Sequence, residues 1–277
     1  MARARAEADR RVELAAPGPR AAVLRLAVAA IYLFLLGPLV VVIVSSFDPT
    51  AAGAFPPKGL SLRWYGEFFR SDSFVAAFRF SLQLGLLAAA LATLIGVFTG
   101  YGLVRFMGRR RAIGQTLVML PAVVPQIIIS ISLLLALSIV PVNEFATLLA
   151  GHVIVCLPFA IAGVTASLDG VDAELELAAM TLGAPRWRVL AEIVVPLAAP
   201  GIISAFIFAF IVSFCDAYIS LFLSGPGMTT LPIEIFSYIQ WESSPVIAAI
   251  TSVQIALILV LGLVVERLVG LRKVMRF

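Results

Sequence analysis

The side chains able to do chemistry are sparse in this sequence, and their spacing excludes more than it offers. One histidine, His152, and two cysteines, Cys156 and Cys215, all stand in apolar surroundings. The cysteines lack C-x-x-C spacing, so neither a disulfide framework nor a zinc site is indicated. His152 has no partner at H-E-x-x-H spacing, and neither a G-x-S-x-G elbow nor a G-x-x-x-x-G-K-[ST] phosphate loop occurs. A catalytic set, a metal site and a nucleotide site of the chain's own are therefore not expected. His152 is read as making an interhelical or interfacial hydrogen bond in preference to a role in translocation. Asp216 is the one charged residue between Glu192 and Glu234. In a helix that continues past Phe214 its carboxylate would face a cavity or a cationic ligand; in a helix that ends there it would be a loop residue in water.

The elements that must carry these residues are membrane elements. Of 277 residues, 61% are hydrophobic and 13% charged, and the mean hydropathy is +1.07. Soluble domains run at about 45–50% apolar and about 25% charged. A spanning helix needs about 20 largely apolar residues, and six segments qualify: Leu26 to Phe47, Phe80 to Val104, Ala112 to Val140, Leu148 to Leu168, Leu197 to Phe214, and Pro245 to Val265. The first exceeds a signal-peptide h-region and has no A-x-A-like site before Asp48, so it is read as a retained anchor.

Charge placement orients these spans. Sixteen of the 20 Lys and Arg residues fall in the arm 1–25, the connection Arg105–Arg111, the loop 169–196 and the tail 266–277. The other four, Lys58, Arg63, Arg70 and Arg79, lie in the opposite loop, 48–79. The positive-inside rule then puts both termini in the cytoplasm. The +4 net charge thus reports topology, and no nucleic-acid partner is expected. In the outer loop, Leu62, Tyr65, Phe68 and Phe69 recur at helical spacing, which predicts a short surface helix with Trp64 and Tyr65 at headgroup level. Gly96 and Gly100 form a G-x-x-x-G that allows close helix approach. Pro121, Pro125 and Pro158 interrupt apolar helices, freeing backbone groups that must face protein or a water-filled cavity.

The stretch Asp169 to Gly201 is too polar to span and too patterned for a passive linker. Leu175, Ala178, Ala179 and Leu182 lie at i, i+3, i+4 and i+7, one apolar stripe on a short helix. Asp172 and Glu174 suit its N-terminus, and Gly183 followed by Pro185 stops it. A second helix, Trp187 to Val194, leads into the fifth span. Motion of such a unit would pass directly to the fourth and fifth spans. On pattern alone the stripe fits a partner protein or a lipid surface equally well.

This segment resembles the E-A-A loop of bacterial ATP-binding-cassette importer permeases, E-A-A-x-x-x-G-x9-I-x-L-P. Ala178, Ala179, Gly183, Ile193 and Pro196 match; Leu177 stands in place of the Glu, with Glu176 one position earlier, and Val195 replaces the Leu. The stretches SLRWYGEFF, LPAVVPQIIISISLLLAL and LSGPGMTTLPIEIFSYIQWESSPVIAAI are most similar to the second permease of spermidine/putrescine-type importers. That subgroup often carries an acidic pair where Cys215 and Asp216 stand, and only the second is acidic here.

The resemblance implies an all-α integral membrane fold of the type I (MetI-like) class, with a six-helix permease domain over 26–265. It implies no enzymatic activity or cofactor in this chain, with MgATP bound by two partner ATPase subunits. A second homologous permease and a periplasmic or lipid-anchored solute-binding protein complete the expected assembly, in a bacterial inner membrane. Glu176, Leu177, Ala178, Ala179, Gly183, Ala184 and Pro196 would form the ATPase-coupling loop, and Gln126, Ser130 and Asp216 are candidates for the translocation path of a polyamine or amino-acid-like solute. Two other readings compete: a stand-alone secondary transporter or channel, which would need intramembrane ion ligands, and a membrane-embedded enzyme, disfavoured by the missing catalytic set.

Overall fold

The computed structural model describes residues 19–50, 55–137, 139, 143–241 and 244–269. Most of the expected N-terminal arm and of the C-terminal tail lies outside the described residues. Among them every regular element is helical. The chain forms two compact units, one containing the chain up to Tyr65 with Ser244–Ser252, the other Gly66–Ser243 with the remainder.

In the first unit, helix α1 (Pro19–Ser45) is followed by a turn built on side chains. Ser46 Oγ lies 2.7 Å from the Tyr65 hydroxyl. The Trp64 indole donates to the Asp48 carbonyl at 2.7 Å, and the Asp48 carboxylate accepts from the Thr50 hydroxyl at 2.6 Å. The short helix expected in this loop forms as α2 (Arg63–Arg70). Trp64 is buried against protein, its indole N–H satisfied by the Asp48 carbonyl.

The second unit is built on α3 (Asp72–Arg105), α4 (Arg111–Val123), α5 (Gln126–Leu137) and α6 (Glu144–Asp169). Helices α3 and α6 start on caps: the Ser71 side chain accepts from Phe74 N–H, and Asn143 Oδ1 accepts from Phe145 N–H at 2.8 Å. These satisfy amides that the first turn leaves orphaned. The expected third span, Ala112 to Val140, is not one straight helix. It breaks between Val123 and Gln126, and the two halves meet at 87°. The cause is local: the residue before a proline is pushed out of the helical region, and Val124, preceding Pro125, is extended at φ −72° and ψ 130°. Pro121 and Pro158 stay inside their helices.

The loop helix α7 (Ala173–Thr181) and the short α8 (Arg186–Val189) come next. A π-helical turn, Leu190–Val194, then joins α8 to α9 (Val195–Phe214). The helix that carries the fifth apolar segment therefore begins at Arg186 rather than Leu197 and runs continuously to Phe214. After it come α10 (Tyr218–Leu223), α11 (Leu231–Trp241) and α12 (Val246–Val269).

Helices α3, α6 and α9 make the core of this unit, and small residues set their spacing. A Cβ at Gly96 would stand 3.3 Å from the Ala160 backbone, and one at Gly100 would stand 3.2 Å from Val164 and Thr165. Gly163 faces Ala205 in the same way. Among the described residues five helices are long and apolar enough to cross a membrane, or six if the bent pair is one span.

Candidate functional site

The loop between α6 and α9 holds two short helices, α7 and α8, separated by a turn at Gly183. Asp172 caps α7, its carboxylate accepting from Glu174 N–H at 2.9 Å. At the other end Gly183 has φ +90°, a conformation costly for any residue with a Cβ. Its N–H bonds to the Met180 carbonyl at 3.0 Å, and the next amide, of Ala184, bonds to the Ala179 carbonyl at 3.1 Å, so the turn absorbs carbonyls that the helix end leaves open. Pro185 then restarts the chain as α8, and Pro196 follows the π-helical turn inside the continuous helix, where a residue without an N–H removes one helical hydrogen bond.

Helix α7 has two unlike faces. Outward stand Leu175, Leu177 and Ala178, with Leu182 just beyond the helix and Trp187 on α8; Leu177 is 58% exposed and Leu182 is 89% exposed. Inward stand Glu176, Ala179 and Met180, followed by Ala184, against a core that includes Leu168, Val171, Val189 and Val194. Of the expected stripe, Ala179 belongs to the inner face.

Glu176 is only 4% exposed, and a carboxylate removed from water needs partners. Arg105 Nε donates to its Oε1 at 2.7 Å, and the Tyr101 hydroxyl donates to Oε2 at 2.9 Å. Arg105 also donates through Nη2 to the Val171 carbonyl at 2.7 Å. Nearby, Arg111 on α4 forms a two-pronged pair with Asp169 at the end of α6, at 2.8 and 2.6 Å. Sequence reasoning counted Arg105 and Arg111 only as topology charges and missed Tyr101. The available signal was Glu176 itself, three and four residues before the inward Ala179 and Met180.

The three path candidates fall around one short helix. Ser130 is fully buried on α5; its hydroxyl donates to the Gln126 carbonyl at 2.8 Å and lies 3.2 Å from the Tyr218 carbonyl. Asp216 meets neither sequence expectation: the helix ends at Phe214, yet the carboxylate is buried at 6% exposure. Its Oδ2 accepts from the amides of Ile219 and Ser220 at 2.9 and 3.4 Å, capping α10, while Oδ1 has no partner. His152 makes the expected interhelical hydrogen bonds, to Ser213 at 2.7 Å and Ser220 at 3.1 Å, with Nε2 4.0 Å from Asp216. Gln126 joins this group through its backbone carbonyl. A groove of about 450 Å³ runs between α6 and α9, past Phe159, Gly163, Ser167 and Gly201, and none of the three candidates lines it. Among the described residues no group of His, Cys, Asp or Glu could hold a metal ion.

Residues 92–272 match the family of binding-protein-dependent transport system inner membrane components. The chain belongs to that family. The permease is 32% identical over 233 residues to the spermidine/putrescine transport system permease protein PotC of Escherichia coli strain K12, covering 84% of this chain and 88% of the relative. It is also 32% identical over 242 residues to the putrescine transport system permease protein PotI of the same strain, covering 84% and 85%. Its fold is that of a chain in the crystal structure of a bacterial alginate ABC transporter in complex with an alginate pentasaccharide-bound periplasmic protein, at a TM-score of 0.64 and 16% identity over 92% of this chain and 94% of that one. The permease is thus an all-α, multi-pass inner-membrane component of a binding-protein-dependent ABC transporter. It is a transport subunit, not an enzyme.

Proposed function

We propose that this chain supplies half of the translocation path of an importer for a small polyamine or related amino-acid-like solute, paired with a second permease and driven by two cytoplasmic ATPase subunits. A periplasmic or lipid-anchored protein delivers the solute, and MgATP is bound and hydrolysed only in the partners. The loop 169–196 and both termini face the cytoplasm, as the basic residues around that loop favour. Residues Glu176 to Ala184, with Pro196, form the coupling loop; Asp216, Ser130 and Gln126 line the path.

The carrying observation is the outward face of the loop. Leu177, Ala178, Leu182 and Trp187 are exposed on a segment that is capped at Asp172 and turned at Gly183, so an apolar ridge is held ready for a protein groove. Leu177, at the position where related permeases carry Glu, adds to that ridge, and docking here rests on apolar contact more than on an ion pair. ATP binding in the partners would favour one of two arrangements of the path by contacting the loop differently in each. Support for a cationic solute comes from the two polyamine relatives and from Asp216, a buried carboxylate whose Oδ1 has no protein partner.

The test is gentle affinity purification of the tagged chain from its native membranes, beside a Gly183→Asp variant, with mass spectrometry and an ATPase assay on each eluate. The wild type is expected to bring an ATPase and a second permease, and the variant to lose the ATPase, since Asp strains the turn and places a charge on the ridge. A wild-type chain isolated alone under several mild detergents would overturn this reading and turn attention to gradient-driven uptake.

A further inference from the structure

Helix α7 is joined covalently to α6 through Gly170 to Asp172 and to α8 and α9 through the Gly183 turn, yet its buried polar contacts lead elsewhere. Glu176 leaves the inner face of α7 and meets Arg105 and Tyr101, both on the last turns of α3. Arg105 holds the loop a second time at the Val171 carbonyl. A third contact is made by Arg186, whose guanidinium lies 5.4 Å from the Phe106 ring, beside the Tyr101 ring at 5.6 Å. The end of α3 therefore grips the loop before, within and after α7.

We propose that Arg105 and Glu176, steadied by Tyr101, form the linkage that carries movement of the loop into α3, the second span. This deepens the coupling role assigned to the loop above and rests on that reading. The alternative is a pair that merely keeps a buried carboxylate satisfied. Three features favour a linkage. A helix face needing only to pack would be more stable with an apolar residue at 176, because a desolvated ion pair seldom outweighs a well-packed side chain. Its two partners come from one helix, so pulling on Glu176 pulls on α3 alone. That helix transmits what it receives, since Gly96 and Gly100 seat it directly against the backbone and side chains of α6 without a compliant layer.

The two routes out of the loop can be separated in the complete transporter, purified with its native partner subunits and reconstituted in vesicles. Cys215 is exposed and is replaced by serine; Cys156, buried with its thiol on the Ala209 carbonyl, is left in place. A spin label goes either at Leu91 on α3, about 21 Å from Arg105 along the helix, or at Ile203 on α9; both side chains are exposed. Spectra are compared without nucleotide and with MgATP and vanadate.

In the wild type both labels are expected to respond. In Arg105→Met and in Tyr101→Phe the Leu91 response should shrink, at least about fivefold for the first, while the Ile203 response and the bound ATPase persist. Glu176→Arg combined with Arg105→Glu should restore the Leu91 response that Arg105→Met lacks. A Leu91 label insensitive to nucleotide in the wild type overturns the linkage, as does an Arg105→Met complex that responds fully at Leu91. Loss of both responses, or of the ATPase, in Arg105→Met together with Tyr101→Phe would make the pair a folding feature and also overturn it. A wild-type preparation containing no ATPase would fail earlier, and would take the importer reading with it.

Discussion

Asp216 combines a cap and a charge, and these can be dissected. One carboxylate oxygen accepts two amides at the start of α10 while the other has no partner. Asp216→Asn keeps an oxygen for the amides and removes the charge. If the cationic solute proposed above is received here, a charged hydrogen bond of about 1.5–3 kcal/mol is lost, which raises the KM for its uptake roughly tenfold or more at unchanged thermal stability of the complex. Asp216→Ala should also lower stability, by about 1 kcal/mol for the lost cap. Equal KM values in wild type and Asp216→Asn would leave Asp216 as a cap only. The polarity of the residue was legible in the sequence; its burial was not. Hydropathy shows where a helix leaves off being apolar at Phe214, and it does not show that His152, Ser213 and Ser220 would close around the next turn. Glu176 is the parallel case, since its partner Arg105 stands 71 residues away in the chain.

Among the elements, α3 and α6 depend on glycine at their contact. Gly96→Leu would drive a branched side chain into the Ala160 backbone, which cannot rotate away, and overpacking of this kind costs about 1–3 kcal/mol. Gly102→Leu on the same helix is the control, because nothing lies within 4 Å of its Cβ position. The thermal midpoint of the detergent-solubilised transporter is expected to fall for the first and hold for the second; a fall of equal size in both would remove the close contact as the cause. The G-x-x-x-G spacing pointed to this contact, and the caps and stop of α7 were equally readable, because both are written in local residue types. Two element boundaries were not. The run Ala112 to Val140 is apolar on every side, so periodicity could not reveal its bend, and only Pro125 hinted at it. The start at Arg186 of the helix that carries the fifth span was hidden by Arg186, Arg188 and Glu192, whose charges exclude them from an apolar window although they continue the helix.

For the molecule as a whole, the charge distribution makes a claim about sidedness that chemistry can test. Single cysteines at Lys58 and at Arg188, in a chain lacking the exposed Cys215, should react with a membrane-impermeant maleimide from opposite faces: Lys58→Cys in intact spheroplasts, Arg188→Cys only in inside-out vesicles. Labelling of both from one face would refute the orientation. The bent third segment bears on how the chain reaches the membrane at all. Its halves have 13 and 12 residues, about 20 and 18 Å of helix, each short of the roughly 30 Å hydrocarbon layer. Neither half is therefore a sufficient insertion signal, and the machinery that threads the nascent chain must accept the segment as one uninterrupted greasy stretch. Its second half meets α10, where Ser130 Oγ lies 3.2 Å from the Tyr218 carbonyl, a partner 88 residues downstream. That packing surface exists only after α10 has been synthesised, although the bend itself is written locally at Val124 and Pro125.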